Sequence, residues 1–183
     1  MTGFAGAGGT PAARRYDDAR VEHHTRPAVE RDGEALMLLR HAYLVEHLVY
    51  LRAEAVAEWL SYDHEWWRQF IITANRSSDQ LLLVSADDNG TIGGMGRAVL
   101  LGDGAEFSML YIDAAKRGEG RARSLLEHGT EWARHQGAHW AQAWITRNNW
   151  PSEVMHQVAG WEPSGEQREG GLGQIERVWR VEW

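Results

Sequence analysis

The sequence predicts a single α/β (or α+β) domain built around one mixed, mostly antiparallel β-sheet that is flanked by helices. Two observations support this class. Apolar residues recur every second position in some segments and at spacings of three and four in others. In chain order these segments read strand, two helices, three strands, helix, strand, helix and strand. The 183 residues, 43% of them hydrophobic, fit one domain with a buried core.

Residues 1–20 are expected to form a flexible N-terminal tail. The domain is expected to span residues 21–183. A first strand over residues 21–30 is ended by a proline and polar residues. A strong helical pattern follows over residues 34–55. A second helical segment over residues 56–75 comes after a break that the pattern does not locate.

The second half is predicted to supply the rest of the sheet. Asn89-Gly90 favours a tight hairpin turn, and Pro151 and Gly160 bracket a short helix. A longer helix starts near Ala122 and ends near the sequence HQGAH. The predicted strands cover residues 80–86, 91–101, 106–113, 139–146 and 174–183.

Charge and composition exclude several function classes. The net charge of −7 argues against nucleic acid as a partner and leans towards neutral or cationic small molecules. No apolar run is long enough to cross a bilayer and the first residues do not resemble a signal peptide, so a cytoplasmic protein is expected. The absence of cysteine excludes disulfides and thiolate catalysis, and the nine histidines have no recognised metal-ligand spacing, so no metal is predicted.

The stretch KRGEGRARSLLEHG, residues 116–129, is a glycine-bearing turn that leads into a helix, a place where phosphates are often bound. A dinucleotide fingerprint would need a third small residue where Arg123 stands, and a P-loop would need Gly-Lys-Ser/Thr. The template R/Q-x-x-G-x-G/A is matched by Arg117, Gly120 and Ala122.

With its flanks, this motif resembles that of the GNAT superfamily of CoA-dependent N-acyltransferases. Residues 105–126 match the family's strand, turn and helix, and TRPAVERDGEAL, TIGGM and NWPSEVMHQVAGW resemble its other signatures in the expected order. The resemblance covers residues 25–183. It implies a fold with splayed strands that open on a CoA-binding turn, and acetyl-CoA or another acyl-CoA as the donor.

The resemblance also implies a set of donor-binding residues. Main-chain groups late in the fourth strand would hold the pantetheine arm, the turn would hold the pyrophosphate, and an asparagine after the fifth strand would touch the pantetheine. In this sequence the set is Leu110, Tyr111, Ile112, Arg117, Gly118, Glu119, Gly120, Arg121, Ala122, Arg123 and Asn149.

Three side chains are candidates for catalysis by the same resemblance. Glu106 is the candidate general base, against the alternative of an exposed glutamate at a strand start. Ser108 shares its face and is a candidate to hold an ordered water. His156 stands where the family usually has a tyrosine that protonates the CoA thiolate; it either takes that role or only packs.

The acceptor is expected to be a small-molecule amine that attacks the thioester directly in a ternary complex. Aromatic and polar residues of the first helices are the candidate acceptor-binding residues, with helix packing as the alternative for most of them: Tyr43, His47, Tyr62, Trp66 and Trp67. Use of a longer acyl-CoA, a different reaction, a non-catalytic acyl-CoA-binding or partner-binding role, and a homodimer all stay open.

Overall fold

One seven-stranded sheet organises residues 22–183, the part of the chain that this computed structural model describes. Its strands are β1 (His23–Pro27), β2 (Gln80–Asp87), β3 (Ile92–Leu101), β4 (Gly104–Ile112), β5 (Trp140–Thr146), β6 (Glu162–Glu169) and β7 (Ile175–Glu182). The order across the sheet is β1-β2-β3-β4-β5-β7-β6, and only β4 and β5 pair in parallel. The predicted fold class is confirmed, while the expected tail over residues 1–20 lies outside the described residues.

The described residues form five α-helices: α1 (Gly33–His47), α2 (Ala53–Leu60), α3 (His64–Arg76), α4 (Arg121–His135) and α5 (Trp150–Val158). Three of them precede β2, so the prediction of two helical segments there was wrong. A 3-10 turn over Leu48–Tyr50 separates α1 from α2. Asp63 then starts α3, because its side chain accepts a hydrogen bond from the backbone N–H of Trp66 at 2.9 Å.

Strand β6 is absent from the predicted strands. Every residue of β6 is exposed, so the segment lacks the alternation of apolar and polar residues that identifies a half-buried strand. It forms the edge of the sheet beside β7.

The two faces of the sheet are covered by different helices. Along β2, Val84 packs in a core cluster with residues of α1 and α3, whereas its neighbour Leu83 packs with Leu125 of α4. This alternation puts α1 and α3 on one face and α4 on the other. No helix in residues 22–183 combines the length and the apolar character that a bilayer span requires.

The sheet opens at its centre. Strands β4 and β5 pair only from Gly104–Phe107 with residues 140–143, and the later residues of β4 have no partner on β5. A register shift in β4 opposite residues 95–97 of β3 inserts one extra residue, and Met109 there has a φ of 56°. The bulge and the end of pairing leave a cleft between the two halves of the sheet.

Candidate functional site

Two cavities meet at this cleft. One, the turn cavity, has a volume of about 340 Å³ and is lined by the glycine turn, the end of β4 and the start of α5. The other, the strand cavity, has a volume of about 480 Å³ and lies between α1, β4, β5 and the segment before β7. Five residues line both cavities: Tyr43, Leu110, Tyr111, Asn149 and Ser152. Molecules bound in the two cavities would therefore be neighbours.

The glycine turn presents the N-terminus of α4 to the turn cavity. Gly118 and Gly120 have φ angles of 83° and 82°, a conformation that glycine adopts without strain. Gly120 is the N-cap and provides no side-chain cap, so the first N–H groups of the helix have no side-chain acceptor at that position. A Cβ at either glycine would meet no atom within 4 Å. The N-terminus of α4 is open, and it carries the positive end of the helix dipole. It therefore suits an anion such as a pyrophosphate.

The side chain of Arg121 does not contribute to that surface, contrary to the expectation that it could contact phosphate. It is fully buried and donates to Ser85 Oγ at 3.2 Å, to Glu119 Oε2 at 2.6 Å and to Asp87. Only its backbone N–H can face the cavity. Glu119, which does not line the cavity, instead holds this arginine and so fixes the turn.

Two other arginines of the turn line the cavity with charged side chains. Arg117 donates two hydrogen bonds to Glu46 of α1, at 2.8 and 2.6 Å, and its guanidinium lowers the pKa of that carboxyl group. Arg123 is exposed beside Glu127 at 2.7 Å. Both are able to exchange a carboxylate for a phosphate at little cost, because exposed ion pairs are weak.

The remaining predicted donor-binding residues also lie on the turn cavity. Leu110, Tyr111 and Ile112 line it from β4, and Asn149 lines it from the start of α5. Asn149 also caps α5 by accepting from the N–H of Ser152 at 3.4 Å. Burial raises the pKa of Tyr111 to about 12, and its hydroxyl group donates to Glu46 at 3.0 Å.

Glu106 lines the strand cavity and is half-buried, not an exposed strand-start glutamate. Its Oε2 accepts from Gln142 Nε2 at 3.0 Å and from Trp144 Nε1 at 3.2 Å. Among the described residues, Oε1 has no hydrogen-bond partner, so this oxygen is available to a ligand. Ser108 lines the same cavity.

His156 also lines the strand cavity, but its protonation state does not suit the expected proton donor. It is 2% exposed, and burial lowers its pKa to about 4. Its Nδ1 donates to the backbone oxygen of Ser152 at 2.8 Å, so the neutral ring carries its proton on Nδ1. Nε2 is then unprotonated, buried and without a partner among the described residues. At neutral pH this histidine has no proton to give from Nε2.

Of the predicted acceptor-binding residues, Tyr43 and His47 line the cavities and the other three do not. Tyr62 and Trp66 stack with ring centroids 4.2 Å apart, and Trp67 is fully buried in the core between α3 and the sheet. The physical reason is packing: Trp66 of α3 stacks on Tyr62, which lies just before α3, and Trp67 of α3 faces the core. Trp59 and Trp144 line the strand cavity in their place.

Four charged residues that line the strand cavity are absent from the predicted site residues: Arg40, Glu58, Arg168 and Glu176. Arg168 and Glu176 form an ion pair at 2.9 Å, and the Arg168 guanidinium lies 4.0 Å from the centroid of Trp144. Arg40 of α1 lines the cavity and is 8% exposed. A signal for Arg40 exists in the sequence, because it stands on the apolar stripe of α1, four residues from both Leu36 and Leu44.

Residues 22–183 contain no group of three or more acidic, histidine or cysteine side chains arranged to hold a metal ion. Carboxylates, arginines and aromatic rings line the two cavities.

Several solved structures share this architecture. PaiA N-acetyltransferase of Thermoplasma acidophilum, in complex with coenzyme A, is 16% identical with a TM-score of 0.74, over 88% of this chain and 99% of that one. The ribosomal-protein-alanine N-acetyltransferase of Brucella melitensis is 25% identical with a TM-score of 0.72, over 87% and 99%. YncA of Salmonella typhimurium, described as an acetyltransferase with its cofactor acetyl-CoA, is 20% identical with a TM-score of 0.69, over 88% and 94%.

At the level of sequence, no curated protein matches the chain significantly. The model of the acetyltransferase (GNAT) family matches residues 39–161, which include the later part of α1, the glycine turn and α5. This match covers more than half of the chain and agrees with the fold and the turn geometry. The chain belongs to the GNAT family of acetyltransferases.

Proposed function

We propose that this protein transfers an acetyl group from acetyl-CoA to the amine nitrogen of a small molecule, by direct attack in a ternary complex. The observation that carries the proposal is the meeting of the two cavities at the cleft between β4 and β5. The turn cavity has the features of an anion site, and the strand cavity contains a carboxylate with an unpaired oxygen. The chain has no cysteine to form an acyl-thiol intermediate, which favours direct transfer.

In the turn cavity, the N–H groups at the start of α4 would hold the pyrophosphate, with Arg117 and Arg123 beside it. Leu110 and Tyr111 lie where β4 still pairs with β3 but no longer with β5, so main-chain groups on the β5 side are available to bind the pantetheine arm. An N–H group of this segment would also donate to the thioester oxygen, where negative charge develops during attack.

In the strand cavity, Glu106 would accept the proton that the amine must lose, directly or through a water beside Ser108. The amine nitrogen then bonds to the thioester carbon, and the carbon–sulfur bond breaks. The leaving sulfur takes a proton from Tyr43, which lines both cavities. Burial raises the pKa of Tyr43, so its hydroxyl group stays protonated at neutral pH. Tyr43 suits this role better than His156, whose Nε2 has no proton.

Thiol release from acetyl-CoA with a panel of amines tests the proposal. We expect turnover with at least one small amine, and a loss of about 100-fold or more in kcat for Glu106→Gln with unchanged acetyl-CoA affinity. Glu182→Gln, an exposed glutamate at the end of β7, is the matched control and should keep the wild-type rate. Wild-type turnover by Glu106→Gln would reject the base assignment. Binding of acetyl-CoA without thiol release from any amine would reject the enzyme function and favour a binding role.

A further inference from the structure

We propose that the acceptor is a small amino carboxylate, such as a free amino acid, and that Arg40 binds its carboxylate group in the strand cavity. This inference rests on the proposed function and assigns the acceptor class of the same site.

The position of Arg40 is the first support. Its side chain extends from the buried stripe of α1, and its guanidinium carbon lies 4.2 Å from the ring centroid of Trp59 and 4.8 Å from that of Tyr43. All three residues line the strand cavity. The two rings hold the planar guanidinium in place, so that a ligand carboxylate would meet a group already oriented for two hydrogen bonds.

The second support is that Arg40 has no anionic partner among the described residues. Its Nε is buried without a hydrogen-bond acceptor, and burial lowers its pKa with no carboxylate to offset the effect. The other arginine of residues 22–183 that is equally buried, Arg121, is paired with Asp87 and Glu119. A buried cation without a counter-ion is unfavourable unless a ligand supplies one.

The third support is the distribution of the acidic groups in the same cavity. Three acidic residues line this cavity. Glu176 is occupied by Arg168 and Gln174, at 2.9 and 2.8 Å, and the exposed Glu58 accepts from the hydroxyl group of Tyr62 at 2.9 Å. Glu106 keeps Oε1 free, so it can face an ammonium group. A cavity that combines an unpaired arginine with a free carboxylate oxygen is complementary to a zwitterion, in which amine and carboxylate belong to one small molecule. A protein N-terminus lacks a carboxylate close to its amine and would leave Arg40 unpaired.

The test compares L-amino acids with their carboxamides and with the decarboxylated amines, for example phenylalanine, phenylalaninamide and phenethylamine. Two readouts are used: thiol release from acetyl-CoA, and binding to the CoA-bound protein followed by tryptophan fluorescence, since Trp59 and Trp144 line the cavity. We expect at least one amino acid to bind and react about tenfold or more better than its counterparts that lack the carboxylate. Equal or better binding of the carboxamides and amines would overturn the inference.

Variants of Arg40 give a second, independent arm. Arg40→Gln should abolish the preference for the carboxylate, lower kcat/KM for the amino acid about tenfold or more, and change the value for the carboxamide little. Arg31→Gln, an exposed arginine outside both cavities, should behave as the wild type. Retention of the carboxylate preference in a folded Arg40→Gln protein would also overturn the inference. If that variant does not fold, the wild-type comparison above decides alone.

The two proposals fail in different ways. Acetyl transfer to amines without preference for a carboxylate would leave the proposed function intact and reject the acceptor class. Selective binding of amino carboxylates without thiol release would support the role of Arg40 and reject acetyl transfer.

Discussion

The buried imidazole of His156 makes the stability of the protein depend on pH. Its pKa in the folded state is about 4, below the value near 6.5 of an exposed histidine, so the unfolded chain binds the proton more readily between these values. Stability should therefore fall as the pH decreases from 7 towards 4. From pH 7 to pH 5, this one group should remove roughly 2 kcal/mol from the free energy of unfolding.

The comparison of His156→Phe with the wild type in urea denaturation, at pH 7 and pH 5, measures this contribution. The variant should lose less stability between the two pH values than the wild type does. His135→Gln, which changes an exposed histidine at the end of α4, should keep the full wild-type pH dependence. An equal loss of stability in His156→Phe and the wild type would contradict a depressed pKa.

Single residues of the site were predictable from the sequence where a local motif defines their position. The turn residues follow from their spacing, and Glu106 follows from its place on a strand that the resemblance identifies. The pairing of Arg121 with Asp87 could not be predicted, because Asp87 lies 34 residues away on β2. Arg40 was also missed, since its role depends on which face of α1 meets the cleft.

At the scale of elements, β4, the glycine turn and α4 form the proposed phosphate site. A substitution in the turn tests whether its backbone geometry is needed for binding. Gly120→Ala introduces a side chain at a φ of 82° with no atom within 4 Å, so the change is one of backbone strain and not of crowding. We expect a loss of about 1 kcal/mol in stability and a weaker affinity for acetyl-CoA, because the N–H groups of α4 must turn to relieve the strain.

Gly90→Ala is the matched control for that prediction. Gly90 has a φ of 86° in the hairpin between β2 and β3, also with no atom within 4 Å of the added Cβ. The two variants should lose similar stability in urea, but only Gly120→Ala should lose acetyl-CoA affinity in a calorimetric titration. Equal affinities in both variants would argue against the turn as the phosphate site.

The elements that were not predicted from the sequence lack an apolar periodicity that would mark them. Strand β6 exposes all of its residues and is defined by its hydrogen bonds to β7, which leave no apolar pattern. The boundary between α1 and α2 lies in a continuous run of apolar residues, where periodicity alone cannot separate a helix end from a 3-10 turn. Strands with one buried face and helices with a long apolar stripe were predicted well, because their apolar residues recur at regular spacings.

At the scale of the whole molecule, the two halves of the sheet are joined at the short β4–β5 pairing and by the core cluster beneath α4 and α5. Phe107 belongs both to this cluster and to the wall of the strand cavity. Its ring lies edge-on to Trp161, with centroids 5.4 Å apart. The packing that joins the two halves of the sheet is therefore coupled to the shape of the strand cavity through the side chain of Phe107.

Gly129 of α4 is the residue that gives Phe107 its space, and Gly129→Ala tests this coupling. An added Cβ would overlap the Phe107 ring, lying 2.9 Å from its Cζ and still nearer to its Cε1. Alanine favours a helix over glycine by about 1 kcal/mol, whereas overpacking a core costs about 1–3 kcal/mol. We expect a net loss of stability in urea denaturation and a higher KM for the acceptor, with unchanged affinity for acetyl-CoA. Glu131→Ala, at an exposed position of the same helix, should change stability by no more than about 0.5 kcal/mol. A more stable Gly129→Ala protein with a wild-type KM would show that the core adjusts to the extra methyl group without moving the cavity wall.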